Sequence, residues 1–190
     1  DIALYTSGLN LPWVIKPLWS PLVDLLKTKR WWIVVMQILV GAGLAGIALT
    51  IQGPLAFRYC LAFMWLLAFS SATHDIAADG FYMLGLNEKK QAYFVGIRNT
   101  FYRFAVIFGQ GILVMFAGWL EQRYAREMPE TAAIPQAWSL TFYLLTILFA
   151  LLSVYHYLFL PHPRRDTCTL PPQQASAGRV FKEFLGTFTS

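Results

Sequence analysis

Apolar positions in this chain gather into long blocks, separated by short clusters of Lys, Arg, Pro, Gly and acidic residues. Five blocks stand out, at 2–26, 31–51, 55–86, 91–119 and 137–160. Each meets the roughly 20 residues that a helix needs to cross a bilayer. The third is over-long, which predicts tilt or an extension past the membrane surface. The first is interrupted by Pro12, Pro17 and Pro21. Three prolines kink a span, and membranes tolerate this where neighbouring helices or a cavity satisfy the freed backbone. The second carries Gly41, Gly43 and Gly46, small residues that let helices pack closely. The pattern predicts an all-α membrane protein with about five transmembrane helices in residues 1–160. Residues 161–190 follow as a linker rich in Pro, Gln, Arg and Ser. Within that tail Val180, Phe181, Phe184, Leu185 and Phe188 recur at helical spacing, with Lys182 and Glu183 between them. This predicts an amphipathic helix on the membrane surface or the start of a further domain.

Composition agrees with the pattern. Of 190 residues, 57% are hydrophobic and 13% charged, against about 45–50% and about 25% in soluble domains. The net charge of +5 does not point to nucleic acid, because the basic residues flank apolar spans instead of forming a soluble patch. Lys27, Lys29, Arg30, Lys89, Lys90, Arg164, Arg165, Arg179 and Lys182 fall on one side. Arg58, Arg123 and Arg126 fall on the other, with Glu121, Glu127 and Glu130. The positive-inside bias puts the 27–30 link, the 87–90 link and the C-terminal tail in the cytoplasm. Cys60 and Cys168 lie in different regions and suggest neither a disulfide framework nor a metal site. No His/Cys cluster with zinc-ligand spacing and no serine elbow is present. The Asp75–Gly80 run misses the phosphatidyltransferase pattern D-x-x-D-G-x-x-A-R by one residue, and the A-R is absent. The expectation is a protein that is not an enzyme and needs no cofactor. The first residue is Asp1, inside an apolar stretch, so the chain reads as a piece of a longer protein.

The chemistry lies in charges placed within apolar helices. An ionisable group in hydrocarbon costs at least a few kcal/mol and marks a solute path, a proton relay or a buried pair. The third block carries His74, Asp75 and Asp79; the fourth carries Arg98 and Arg103. Asp75 and Asp79 are four apart and share a helix face with Ser71 and Tyr82. Folding the two blocks into an antiparallel hairpin, at ~1.5 Å per residue, brings Asp79 level with Arg98 and Asp75 level with Arg103. Lys16 lies eight residues before Asp24, roughly 12 Å inward from the helix end. That depth predicts one layer of Lys16, Asp79 and Arg98 and a deeper one of Asp75 and Arg103. Such a set either locks helices as a neutralised ion-pair network or binds an anionic solute while a carboxylate takes a proton. His74 is either a satisfied interface histidine or a proton relay.

These residues also carry a resemblance. The stretch W-V-I-K-P-L-W-S-P-L-V-D, from Trp13 to Asp24, resembles the second transmembrane helix of the AmpG-type muropeptide permease and acetyl-CoA transporter branch of the major facilitator superfamily. The stretch S-S-A-T-H-D-I-A-A-D-G, from Ser70 to Gly80, is similar to that branch's fourth helix, with His74 where the family usually has Gln. The Tyr102-Arg103 pair and a turn at Gly109-Gln110-Gly111 resemble its fifth helix. The general loop motif of the superfamily is present in part, as Asp24, Lys29 and Arg30, with Ser20 and Thr28 in place of its glycines.

The resemblance implies the second to sixth helices of an N-terminal bundle, with the first helix and the C-terminal half supplied elsewhere in the same transporter. It also implies a secondary transporter of the inner (cytoplasmic) membrane that imports anhydro-muropeptides with protons. Asp79 followed by Gly80 is similar to the acetyl-CoA transporter version. In this expectation Lys16, His74, Asp75, Asp79, Arg98 and Arg103 bind solute or couple protons, and Asp24, Lys29 and Arg30 form a cytoplasmic gate. The expected partners are a small anionic solute, protons and the lipid bilayer.

Overall fold

A computed structural model describes residues 5, 7–163, 166–167, 182, 184 and 186. Arg164, Arg165, Cys168, Arg179 and most of the expected amphipathic stretch at 180–188 lie outside the described residues. What is described is all-α. Helix α1 spans Leu11–Ile15, and α2 spans Ser20–Leu26 after a 3-10 turn at Lys16–Leu18. Then come α3 (Lys29–Thr50), α4 (Ala56–Gly85), α5 (Glu88–Ile107), a π-helical segment (Phe108–Ile112), α6 (Leu113–Tyr124) and α7 (Glu130–Phe159). Among the described residues four helices are long and apolar enough to cross a membrane: α3, α4, the continuous Glu88–Tyr124 run and α7.

The first block is a broken rod, as its prolines require. Pro17 has no amide to donate, and the chain tightens into the 3-10 turn, where Trp19 N–H reaches the Lys16 carbonyl at 3.3 Å. Two boundaries differ from the sequence reading. The last helix starts at Glu130, not near 137, and Pro135 sits inside it. A proline forfeits one hydrogen bond to the preceding turn, and close packing here outweighs that loss, because Ala133 and Ala137 on either side are fully buried. The Gly109-Gln110-Gly111 run is not a turn but the π-helical segment of an uninterrupted helix. Glycine lacks the side chain that would resist this local widening, and such π-bulges often mark functional helices.

Helix α3 is the centre of the bundle, packed against α4 on one side and α7 on the other. Its glycines divide that work. A Cβ on Gly43 would come within 2.9 Å of Leu67, and one on Gly46 would strike the Phe63 ring, both on α4. A Cβ on Gly41 would lie 3.6 Å from Phe149 of α7. The small residues therefore serve close helix packing. Two polar contacts tie α3 to α7: Ser139 Oγ donates to the Ala48 carbonyl at 2.7 Å, and His156 Nδ1 lies 3.0 Å from Gln37 Oε1.

Candidate functional site

Helix α4 presents its charged face to both neighbours. Lys16 Nζ donates to Asp75 Oδ2 at 2.5 Å, across from the 3-10 turn. The break at Pro17 makes this reach possible, because it sets Lys16 apart from the straight line of α2. One turn along α4, Arg98 of α5 pairs with Asp79. The Arg98 guanidinium also sits 4.9 Å from the centroid of the Tyr82 ring, a cation–π contact. Asp75, Asp79 and Tyr82 thus form the stripe expected from their i, i+4, i+7 spacing.

The layering differs from the expectation. Lys16 pairs with Asp75, not with Asp79 and Arg98. A straight-helix count from Asp24 fails because the 3-10 turn rises faster, at ~2.0 Å per residue. Arg103 is exposed and forms no ion pair among the described residues. It is five positions from Arg98, which places it about 140° round the helix. The face that carries Arg98 also borders an open cavity of about 650 Å³, lined by Asp79, Val95, Arg98, Asn99, Phe101 and Tyr102. Asp79 and Arg98 therefore neutralise each other at the wall of a space large enough for a small solute.

His74 lies off this stripe. It lines a separate cavity of about 360 Å³ with Ile33, Phe81, His156 and Leu160. Its Nε2 is buried and has no hydrogen-bond partner among the described residues.

Two of the three expected gate residues, Asp24 and Lys29, meet at the end of the bundle where α3 begins and α4 and α7 end. Lys29 pairs with Asp24, and its aliphatic stem lies against Gly80, where an added Cβ would come within 2.7 Å of Lys29 Cε. Arg30 turns elsewhere, donating to the Tyr157 carbonyl and, through Nε at 3.1 Å, to the Leu160 carbonyl.

Asp166 is a member of this cluster that sequence reasoning missed. Its carboxylate accepts the Lys29 amide at 2.7 Å and the Arg30 amide at 3.1 Å. With Thr28 Oγ1 accepting the Trp31 amide at 3.2 Å, side chains satisfy the first three amides of α3. A carboxylate there also complements the positive end of the helix. Gln91 is a second such residue. Its side-chain amide closes the end of α4 on the Met83 and Leu86 carbonyls at 3.2 and 2.8 Å, while its own carbonyl accepts from the Tyr82 hydroxyl. Neither role carries a sequence signal, because each depends on where the chain returns in space. No group of three or more His, Cys, Asp or Glu among the described residues is arranged to hold a metal ion.

Four membrane-length apolar helices, two of them joined by the Asp79–Arg98 ion pair, mark this chain as a multi-pass membrane protein. Residues 1–154 match the BT1 family. The chain belongs to that family, which lies in the transporter group related to the major facilitator superfamily that includes the AmpG-type permeases. No curated protein and no solved structure matches it.

Proposed function

We propose that this chain is part of a secondary active transporter of the cytoplasmic membrane that imports anionic anhydro-muropeptides together with protons. The observation that carries the reading is the pair of ion pairs on one face of α4, Lys16–Asp75 and Arg98–Asp79, the second at the wall of an open cavity. An anionic solute competes with the carboxylates for Lys16 and Arg98. A carboxylate released from its cation in low dielectric takes a proton more readily, so solute binding and proton uptake favour one another. Arg103, exposed on α5, adds positive charge to the approach. The solute class comes from the resemblance of the 13–24 and 70–80 stretches to the muropeptide permeases. In such folds the solute site lies between two helical bundles whose rocking gives alternating access, and the Asp24–Lys29 pair acts as a latch on the cytoplasmic side.

The test is uptake of labelled anhydro-muropeptide by vesicles that contain the full-length protein. Uptake that collapses with an uncoupler supports both solute and coupling. If acetyl-CoA is taken up and muropeptide is not, the solute assignment falls and the transport assignment stays. Full uptake with an intact proton requirement in both Asp75→Asn and Asp79→Asn removes the coupling role of these carboxylates.

A further inference from the structure

We propose that His74 and His156 form a second titratable site, distinct from the two carboxylates, in which two imidazoles share one proton. Three observations converge on it. The two rings line the same cavity at the junction of α3, α4 and α7. His156 Nδ1 faces the Gln37 carbonyl oxygen at 3.0 Å; because that oxygen only accepts, Nδ1 carries hydrogen and Nε2 is left as the basic nitrogen. His74 offers a buried Nε2 with no partner among the described residues. A buried polar atom without a partner is costly, and a water in the cavity that bridges the two rings and carries the shared proton relieves that cost. The cavity has a route to solvent, because Gly85 and Pro161 in its wall are exposed.

The neighbouring ionisable groups are committed elsewhere. On α4, Asp75 holds Lys16 and Asp79 holds Arg98, while the Tyr82 hydroxyl donates to the Gln91 carbonyl. On α3, Lys29 holds Asp24 and Arg30 holds two carbonyls. On α7, the Tyr155 ring packs edge-on against His156 at 5.5 Å, and Tyr157 lies under Arg30. Asp166 is bound to the α3 amides. The two imidazoles are therefore the groups in this pocket free to take a proton. The inference rests on the transport reading only for the use made of that proton.

The experiment is infrared difference spectroscopy on the full-length protein in lipid, with ring-15N histidine, for a step from about pH 7.5 to about pH 5.5, which brackets the ordinary imidazole range. The expected result is an imidazolium signal that is lost from His74→Gln and from His156→Gln, each loss as large as in the double variant. Losses that add, or no loss in either variant, overturn the shared site. If a histidine variant fails to fold, Gln37→Leu removes only the acceptor that holds His156 and is expected to shift the midpoint of the signal; an unmoved midpoint also overturns the proposal. A protein that transports solute but shows no such signal loses the histidine site and keeps its transport function.

Discussion

Helix α3 and the α5–α6 rod are both membrane-length and apolar, yet they are held in opposite ways. A Cβ added to Gly41, Gly43 or Gly46 of α3 would meet a side chain of α4 or α7 at van der Waals distance or closer. At Gly96, Gly109 and Gly111 of the other rod, an added Cβ would meet nothing within 4 Å, and α5 buries no residue at all. What holds α5 to α4 is polar: Arg98 on Asp79 and Tyr82, and Gln91 at the turn. Dispersion and close backbone approach fix the first region; charges and hydrogen bonds fix the second. The region held by exchangeable polar contacts is also the one that borders the open cavity. A solute or proton can alter such contacts, whereas it cannot alter a glycine packed against a ring.

The sharpest way to break this contrast is to unpair the charges. Lys16→Ala or Asp75→Ala strands the partner. Breaking a fully buried pair costs about 3–5 kcal/mol, and partial exposure of both side chains, 26% and 34%, reduces that to about 1–3 kcal/mol. Thermal unfolding in detergent or lipid, followed by tryptophan fluorescence, checks the loss. The swapped double variant, Lys16→Asp with Asp75→Lys, is expected to recover part of it.

Next in size is Gly46→Leu, which drives a side chain into Phe63 and is expected to cost about 1–3 kcal/mol by overpacking. The same unfolding measurement reads it. Asp166→Ala removes two caps from α3 and is expected to cost about 1 kcal/mol. Hydrogen exchange at the Lys29 and Arg30 amides should rise in that variant and stay unchanged in the rest of α3.

Gly96→Ala is expected to leave the stability of this chain within about 0.5 kcal/mol, or to raise it slightly through helix propensity. A large loss in the membrane would show that a further packing partner covers this face of α5.

Much of the architecture was legible in the residues. Block length and hydropathy gave α3, α4, the α5–α6 rod and α7, because the apolar length of a span is a property of consecutive residues. The break at Pro17 and the packing role of the α3 glycines were equally local. The i, i+4 spacing of Asp75 and Asp79 put both on one face of α4, and Arg98 met Asp79 as a hairpin count required. Counting failed for Lys16, because a straight helix was assumed across the very proline that bends it. It failed for Arg103, because depth was matched without asking which way the side chain points.

Period, length and proline position act within a few turns of one helix, so consecutive residues dictate which segments are helical and that charges stand inside them. Which charge meets which was settled by the packing of the helices. It also decided that Asp166 returns across more than a hundred residues to cap α3, and that His74 and His156 line one cavity. Those pairings depend on the relative rotation and offset of separate helices, and packing sets these across the whole bundle in ways no stretch of sequence encodes.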